Sequence, residues 1–491
     1  MSSLSLDAVN QYIDDNMSNF KDGLRDAVAI KSVSSTRENR EDVIRMMEAV
    51  ASRMENSLGM SVDLRDLGLD PNYPDGDVQL PPVILASLGN DPNKKTLCIY
   101  GHLDVMPAEM SDGWYYPPFE LTIVDDIMYG RGSTDDKGPV LGWLNSIEAF
   151  QQTNTSIPMN LKFVLEGMEE SGSTGLAELI EEEKDLFFGN VDFIAISDNY
   201  WLGTSKPCLT YGLRGIIYFH VKVNCADSDL HSGSHGGPVY EAMSDVVAMF
   251  STLIDEKGNI LIPHVNDSVR ELTPEEDALY YGLDFDMNVY QEEIGVHGLT
   301  TSDEKNTLMR RWRYPSLSIH GFEGAFYGPG DKTVIPHEVT GKFSIRLVPD
   351  QEPEDIGQLV INHLNYVHSQ RGSPNIMTPT YSSGASRAWL GRFENPVFEA
   401  GNLATLDVHN VEPDYTREGG SIPVVITLYE TTGKDCVLIP MGRSDDGPHS
   451  QNEKLNITNF QAGMKLFAAY IKRLDELTRG TGRQARQTSK I

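Results

Sequence analysis

The chain is poor in cysteine and in basic residues, and it has no long apolar run. Its four cysteines, Cys98, Cys208, Cys225 and Cys436, form no CxxC pair and no regular spacing in 491 residues. That excludes a disulfide framework and a thiolate metal cluster as organising features, and reduced thiols are expected. Forty lysines and arginines face 72 aspartates and glutamates, a formal charge of −32. Such a surface repels phosphate backbones and anionic headgroups, so neither nucleic acid nor a membrane is an expected partner. No stretch approaches the roughly 20 apolar residues that cross a bilayer. The start, Met1-Ser2-Ser3-Leu4-Ser5-Leu6-Asp7, lacks a basic segment followed by an apolar one, so a soluble, cytoplasmic protein is expected. The closing Ser489-Lys490-Ile491 departs from the peroxisomal Ser-Lys-Leu pattern at its last residue and reads as a frayed end.

What the chain does have is enough apolar content, 40 % with 9 % aromatic, and enough length for two cores. Through residue 212, apolar runs alternate with helical spacing. Val83–Leu88, Thr96–Tyr100, Leu161–Glu166 and Val191–Ile196 read as strands. Val140, Leu144 and Ile147, then Leu176, Leu179 and Ile180, recur as on helices. Strand and helix in alternation predict an α/β fold with a mostly parallel sheet. The pattern changes near Gly212-Leu213-Arg214-Gly215. Strands at 216–223, 316–320 and 341–348 and helices at 239–254 and 354–366 predict an inserted α+β unit over 213–388. Residues 270–313 read as an elaboration of it. From Trp389 the chain returns to the first unit, with Pro423–Leu428 and Val437–Pro440 expected as strands and a last helix from about Thr458. The division is therefore 1–212 with 389–491 around 213–388.

Chemistry-bearing side chains recur at the ends of the predicted strands. The run ending at Tyr100 opens into Gly101-His102-Leu103-Asp104-Val105. Gly130-Arg131-Gly132-Ser133-Thr134-Asp135-Asp136-Lys137-Gly138 places two acids in a glycine-rich turn before a helix. Glu169 with Glu170, Asp198, and His449 after Gly442-Arg443-Ser444-Asp445-Asp446-Gly447-Pro448 follow. Strand ends are where α/β enzymes place their sites. Imidazole and carboxylate without thiolate suit zinc or manganese. Taken singly, each is matched by an ordinary surface histidine or solvated charge pair. Three ligand candidates set in sharply turning glycine and serine backbone are not.

These motifs resemble the M20 metallopeptidases, and among them the carnosinase-like cytosolic nonspecific dipeptidases. The likeness covers nearly the whole chain. It also includes Ile196-Ser197-Asp198-Asn199, Asp229-Leu230-His231-Ser232-Gly233, Thr333-Val334-Ile335-Pro336, Ile345-Arg346-Leu347-Val348-Pro349 and Arg417-Glu418-Gly419-Gly420-Ser421-Ile422-Pro423. The resemblance implies a catalytic domain with an inserted lid and dimerisation domain, and two divalent metal ions, zinc or manganese, per subunit. Asp135 would bridge them, with His102 and Asp198 on one ion and Glu170 and His449 on the other. Glu169 would be the general base and Asp104 would clamp the His102 ring. A cis peptide bond after Asp135 is also implied. His231 would reach into the neighbouring subunit's site of a homodimer to stabilise the oxyanion. Arg346 would grip a dipeptide's carboxylate, assisted by Thr333 and Ser421. The implied activity is hydrolysis of small unblocked dipeptides, with cysteinylglycine a candidate. An N-acyl amino acid amidase or deacylase and a non-catalytic scaffold are the competing readings. One departure, His337-Glu338 where a more basic pair is expected, is assigned to solvent.

Overall fold

The computed structural model describes residues 4–73, 76–382 and 384–479, so the C-terminal Ser489-Lys490-Ile491 lies outside the described residues. Its larger sheet runs in the order Ser61–Arg65, Val83–Leu88, Asn160–Glu166, Thr96–His102, Phe193–Ile196, Cys436–Leu438, Cys208–Leu213 and Trp389–Leu390, with Asp414–Glu418 also paired to Cys208–Leu213. The four strands in the middle, from Asn160–Glu166 to Cys436–Leu438, are mutually parallel, and antiparallel strands close both sides. Thr96–His102 is buried at every position. Because successive side chains point to opposite faces, both faces of the sheet are covered there. The helix Lys137–Gln152 is buried almost all round, and its Trp143 stacks on Phe467 of the final helix, Ile457–Thr478, at 4.0 Å between ring centroids.

A second sheet of four antiparallel strands has the order Ser316–Glu323, Glu338–Leu347, Gly215–Asn224 and Ile376–Tyr381. Gly215–Asn224 alternates buried and exposed positions along much of its length, as a strand with one wet face should. Its buried face packs under helices Ala242–Phe250 and Pro353–Arg371, and Phe219 stacks on Phe343 at 4.8 Å. The strand Ile376–Tyr381 goes beyond the sequence reading. A separate two-residue ribbon pairs Leu230–His231 with Val334–Ile335.

Two readings of the sequence change. Pro423–Leu428 is not a strand but the start of a helix, Pro423–Thr432. Proline at its first position fits a helix entry, the buried Val424, Val425 and Leu428 sit at helical spacing, and Gly433 caps the end in the left-handed region. A short apolar run alone does not separate a buried strand from a buried helix. Residues 270–313 are no simple elaboration of the insert. Their Tyr280, Leu308, Met309 and Trp312 form a cluster with Trp201, Leu202 and Cys208. Asp284 accepts hydrogen bonds from Ser205 and Lys206. Buried Glu276 takes both Arg313 and Arg417.

Candidate functional site

Thr96–His102 ends on an imidazole with no solvent exposure. The His102 Nε2 atom lies 3.1 Å from Asp135 Oδ1 and 3.5 Å from Asp198 Oδ1. On the other side of the ring, Nδ1 is 3.1 Å from the Asp104 carbonyl and 3.4 Å from its Oδ1. Asp104 does more than clamp that ring. Its two carboxylate oxygens accept the N–H groups of Glu169 (3.1 Å) and Glu170 (3.0 Å), which fixes the short turn carrying both acids. Asp198 follows the parallel strand Phe193–Ile196 by two residues. Three chain segments, bearing His102, Glu169 with Glu170, and Asp198, therefore converge at the carboxyl ends of strands that run in parallel, and the turn bearing Asp135 joins them there.

His449, in a left-handed conformation after Pro448, completes the cluster. Its Nε2 lies 3.2 Å from Asp135 Oδ2 and 2.9 Å from Glu170 Oε2. Asp135 is thus the common member of two groups, His102–Asp135–Asp198 and Asp135–Glu170–His449. In each, the nitrogen and oxygen ligand atoms all fall within 4.8 Å of one another. The peptide bond between Asp135 and Asp136 is cis.

The electrostatics of the cluster call for cations. No lysine or arginine pairs with Asp135, Asp198 or Glu170 among the described residues; their ion-pair partners are the two imidazoles. Burial disfavours a charged His102 ring, yet Asp198, Asp104 and Asp135 outweigh it and hold its proton affinity well above the ordinary value. His449 is pushed up to about 11, chiefly by hydrogen bonds to Asp135 and Glu170. Burial raises the Glu169 carboxyl well above its usual range, and Asp198 and Glu170 add to this against the pull of His102. Three candidate ligand carboxylates with Glu169 and Asp104 beside them, whose ion-pair partners among the described residues are imidazoles alone, fit a pair of divalent ions.

Some supporting residues escaped the sequence reading. Glu453 has no solvent exposure. It accepts from Arg131 Nη1 (2.7 Å) and from the backbone N–H groups of Gly132 (2.9 Å), Thr134 (3.0 Å) and Asp135 (3.1 Å), so it shapes the whole turn that presents Asp135. Asp446 accepts from Thr134 Oγ1 and from Lys454, tying the His449 loop to the same turn. Lys137, buried and pushed down to about 7 by that burial, donates to the carbonyls of Ala27 and Ile30. The string Gln451-Asn452-Glu453-Lys454 reads as an ordinary polar loop. Nothing local marks Glu453.

The remaining site residues fall into two pairs. His231, on the two-residue ribbon, and Thr333, just before its second strand, are exposed; Ser232 N–H donates to the Thr333 carbonyl and Gly233 N–H donates to His231 Nδ1. Neither shares a hydrogen bond or ion pair with the five ligand residues among the described residues. Arg346 and Ser421 are in contact, with Arg346 Nη1 donating to Ser421 Oγ at 2.8 Å. Glu338 sits at the far end of the Arg346 strand and pairs with Lys222, while His337 pairs with Asp229. All four cysteines are free and stand outside the ligand groups. No helix among the described residues is long and apolar enough to cross a membrane.

Known proteins resemble this chain over nearly their whole length. The chain is 46 % identical over 473 residues to the Cys-Gly metallodipeptidase dug1 of Schizosaccharomyces pombe, covering 96 % of this chain and 98 % of that one. It is likewise 46 % identical to the human Beta-Ala-His dipeptidase, covering 96 % and 93 %. The solved structure of the dipeptidase Dug1p from Saccharomyces cerevisiae superposes with a TM-score of 0.90 at 44 % identity, over 97 % of this chain and 99 % of that one. A family description matches residues 98–473, from the strand that delivers His102 to the helix beyond His449, and the chain belongs to peptidase family M20/M25/M40.

Proposed function

We propose that this protein is a dinuclear metallodipeptidase that hydrolyses the peptide bond of small unblocked dipeptides, cysteinylglycine among them. One observation carries the reading: a single buried carboxylate, Asp135, is shared between two imidazole–carboxylate groups, with Glu169, an acid that has no ion-pair partner among the described residues, next to Glu170. His102, Asp135 and Asp198 would hold one ion, and Asp135, Glu170 and His449 the other. When bound, zinc or manganese supplies Lewis-acid activation of a water and of the scissile carbonyl.

This chain's own residues supply the rest. Glu169 takes the proton from water and returns it to the leaving amine; its raised proton affinity suits a group that must hold that proton between the two steps. Asp104 keeps the His102 ring and the Glu169 backbone in register. Arg346, steadied by Ser421, takes the substrate carboxylate bidentately. His231, on its exposed ribbon beside Thr333, acts in the site of a second copy, so the working unit is a homodimer in the cytoplasm. Protonation of the two imidazoles competes with metal, so activity falls as pH drops below neutrality.

The intact ligand set and Glu169 speak against a non-catalytic scaffold, and the dipeptidase names of full-length relatives speak against an N-acyl amino acid deacylase. The test uses chelator-stripped protein, with and without added zinc or manganese, on cysteinylglycine, β-alanylhistidine and an N-acetyl amino acid. Metal-restored cleavage of the dipeptides alone is expected. Cleavage of the acetylated compound alone contradicts the reading.

A further inference from the structure

Arg214 lies where the strand Cys208–Leu213 of the larger sheet passes into Gly215–Asn224 of the smaller one. Its backbone N–H donates to the Gly420 carbonyl (3.1 Å), its own carbonyl accepts from Ser421 Oγ (2.5 Å), and its Nε donates to the Gly419 carbonyl (2.8 Å). Nη1 reaches the other way, to Ser316 Oγ at 2.8 Å. Ser316 is the residue paired opposite Arg346, whose Nη1 meets the same Ser421 hydroxyl. The backbone of Arg311 closes the junction. A side-chain carbon on Gly419 would lie 2.8 Å from the Arg311 carbonyl and 3.2 Å from Arg214 Nη2, so only glycine allows this approach.

Arg214 and Arg346 hold half-buried guanidinium groups against the turn Gly419–Ser421, the half-buried Arg311 charge lies near enough to disfavour that of Arg214, and none of the three has a carboxylate ion-pair partner among the described residues. The acid that bears on Arg214 is Glu418. Its Oε1 accepts from the Gly419 and Gly420 N–H groups, at 2.6 and 3.4 Å. Arg214 Nη2, Arg346 Nε and Nη2, and every side-chain nitrogen of Arg311 have no acceptor among the described residues. Arg311 rests instead over the Tyr290 ring, 4.9 Å from its centroid. Burial and the neighbouring Arg346 pull Arg214 down to about 10, the mark of a cation held without its counter-ion. In a chain of charge −32, leaving such groups unpaired is not a shortage of acids.

A substrate carboxylate on Arg346 answers one of the three charges. We propose that Arg214 and Arg311 answer a second negative charge, and that the site favours dipeptides whose C-terminal residue is aspartate or glutamate. The inference rests on the dipeptidase reading and on Arg346 as the carboxylate anchor. Glu418 subtracts from the attraction but does not cancel it, since its carboxylate is engaged by the turn.

The experiment compares kcat/KM of the metal-loaded enzyme on glycylaspartate and glycylasparagine, which match in shape and differ in charge, at low and high salt. A preference for the acid of about tenfold at low salt is expected, shrinking as salt screens it. In Arg311→Gln, whose side chain makes only the ring contact, the acid-to-amide ratio falls towards one. Arg214→Lys keeps a cation and retains more of the ratio than Arg214→Met, while thermal melting checks that each variant is folded. Equal rates on the two dipeptides, or a preference undiminished in Arg311→Gln, overturn the proposal while the dipeptidase reading stands. Failure to cleave either one, or any other dipeptide, overturns both.

Discussion

The ligand cluster and the recognition residues are built to opposite rules. His102, Asp135, Glu170 and Asp198 are fixed before anything binds. Each sits at a strand end or in a short turn, largely buried, with Asp104 and Glu453 holding the backbone that carries them. His231 and Thr333 are exposed at a two-residue ribbon, and Arg346, Arg214 and Arg311 keep donors in reserve. One region uses its hydrogen bonds to fix geometry, and the other leaves side-chain donors without acceptors among the described residues. Damage to the first should appear in metal content and turnover, and damage to the second in substrate affinity.

The largest effect is expected for Asp135→Asn, which removes the ligand common to both groups. Turnover should fall below detection and bound metal, read by atomic emission, should drop to one ion per chain or none. Glu169→Gln should cost about 10³-fold in kcat with metal content unchanged; loss of metal in this variant would move Glu169 into the ligand set. Arg346→Lys tests the other region. It should lower kcat/KM about 30-fold, mostly through KM, because a point charge replaces a bidentate fork. Glu453→Gln lies beneath the cluster and touches no substrate. Leaving Arg131 and three backbone donors on a neutral partner should weaken metal binding about tenfold and lower the melting temperature.

A smaller effect lies outside both regions. Burial depresses His409, beside Trp201, to about 4 from 6.5. Between those values the unfolded chain binds a proton that the folded chain refuses, so stability is complete above pH 6.5 and falls as pH drops towards 4. The loss is at most about 3 kcal/mol. Denaturant titrations of His409→Gln should show a flatter pH profile over that window, with metal content unaltered.

How much was legible in the sequence follows the same divide. Ligands at strand ends announce themselves because a buried run must stop before a polar side chain can begin, and Gly101-His102 and Gly130–Gly138 carry that signature. Glu453 carries none, since its role arises when the sheet and the last loop come together 318 residues from Asp135. Pro423–Leu428 misled because six apolar-rich residues fit either period, and only packing decides. Residues 270–313 stayed opaque for a related reason: their partners Trp201, Leu202 and Cys208 lie far away in the chain. Arg214 is visible only within Gly212-Leu213-Arg214-Gly215, where the pattern changes, and its missing counter-ion is a tertiary fact.

The most direct test of a shared-carboxylate, two-ion site is a metal titration of the stripped protein, following cysteinylglycine cleavage and bound metal together. The account predicts that turnover climbs to a plateau at two ions per chain, and that Glu169→Gln binds the same two ions with turnover about 10³-fold lower. Full activity in stripped protein, or a plateau at one ion with Asp135→Asn still active, would contradict it.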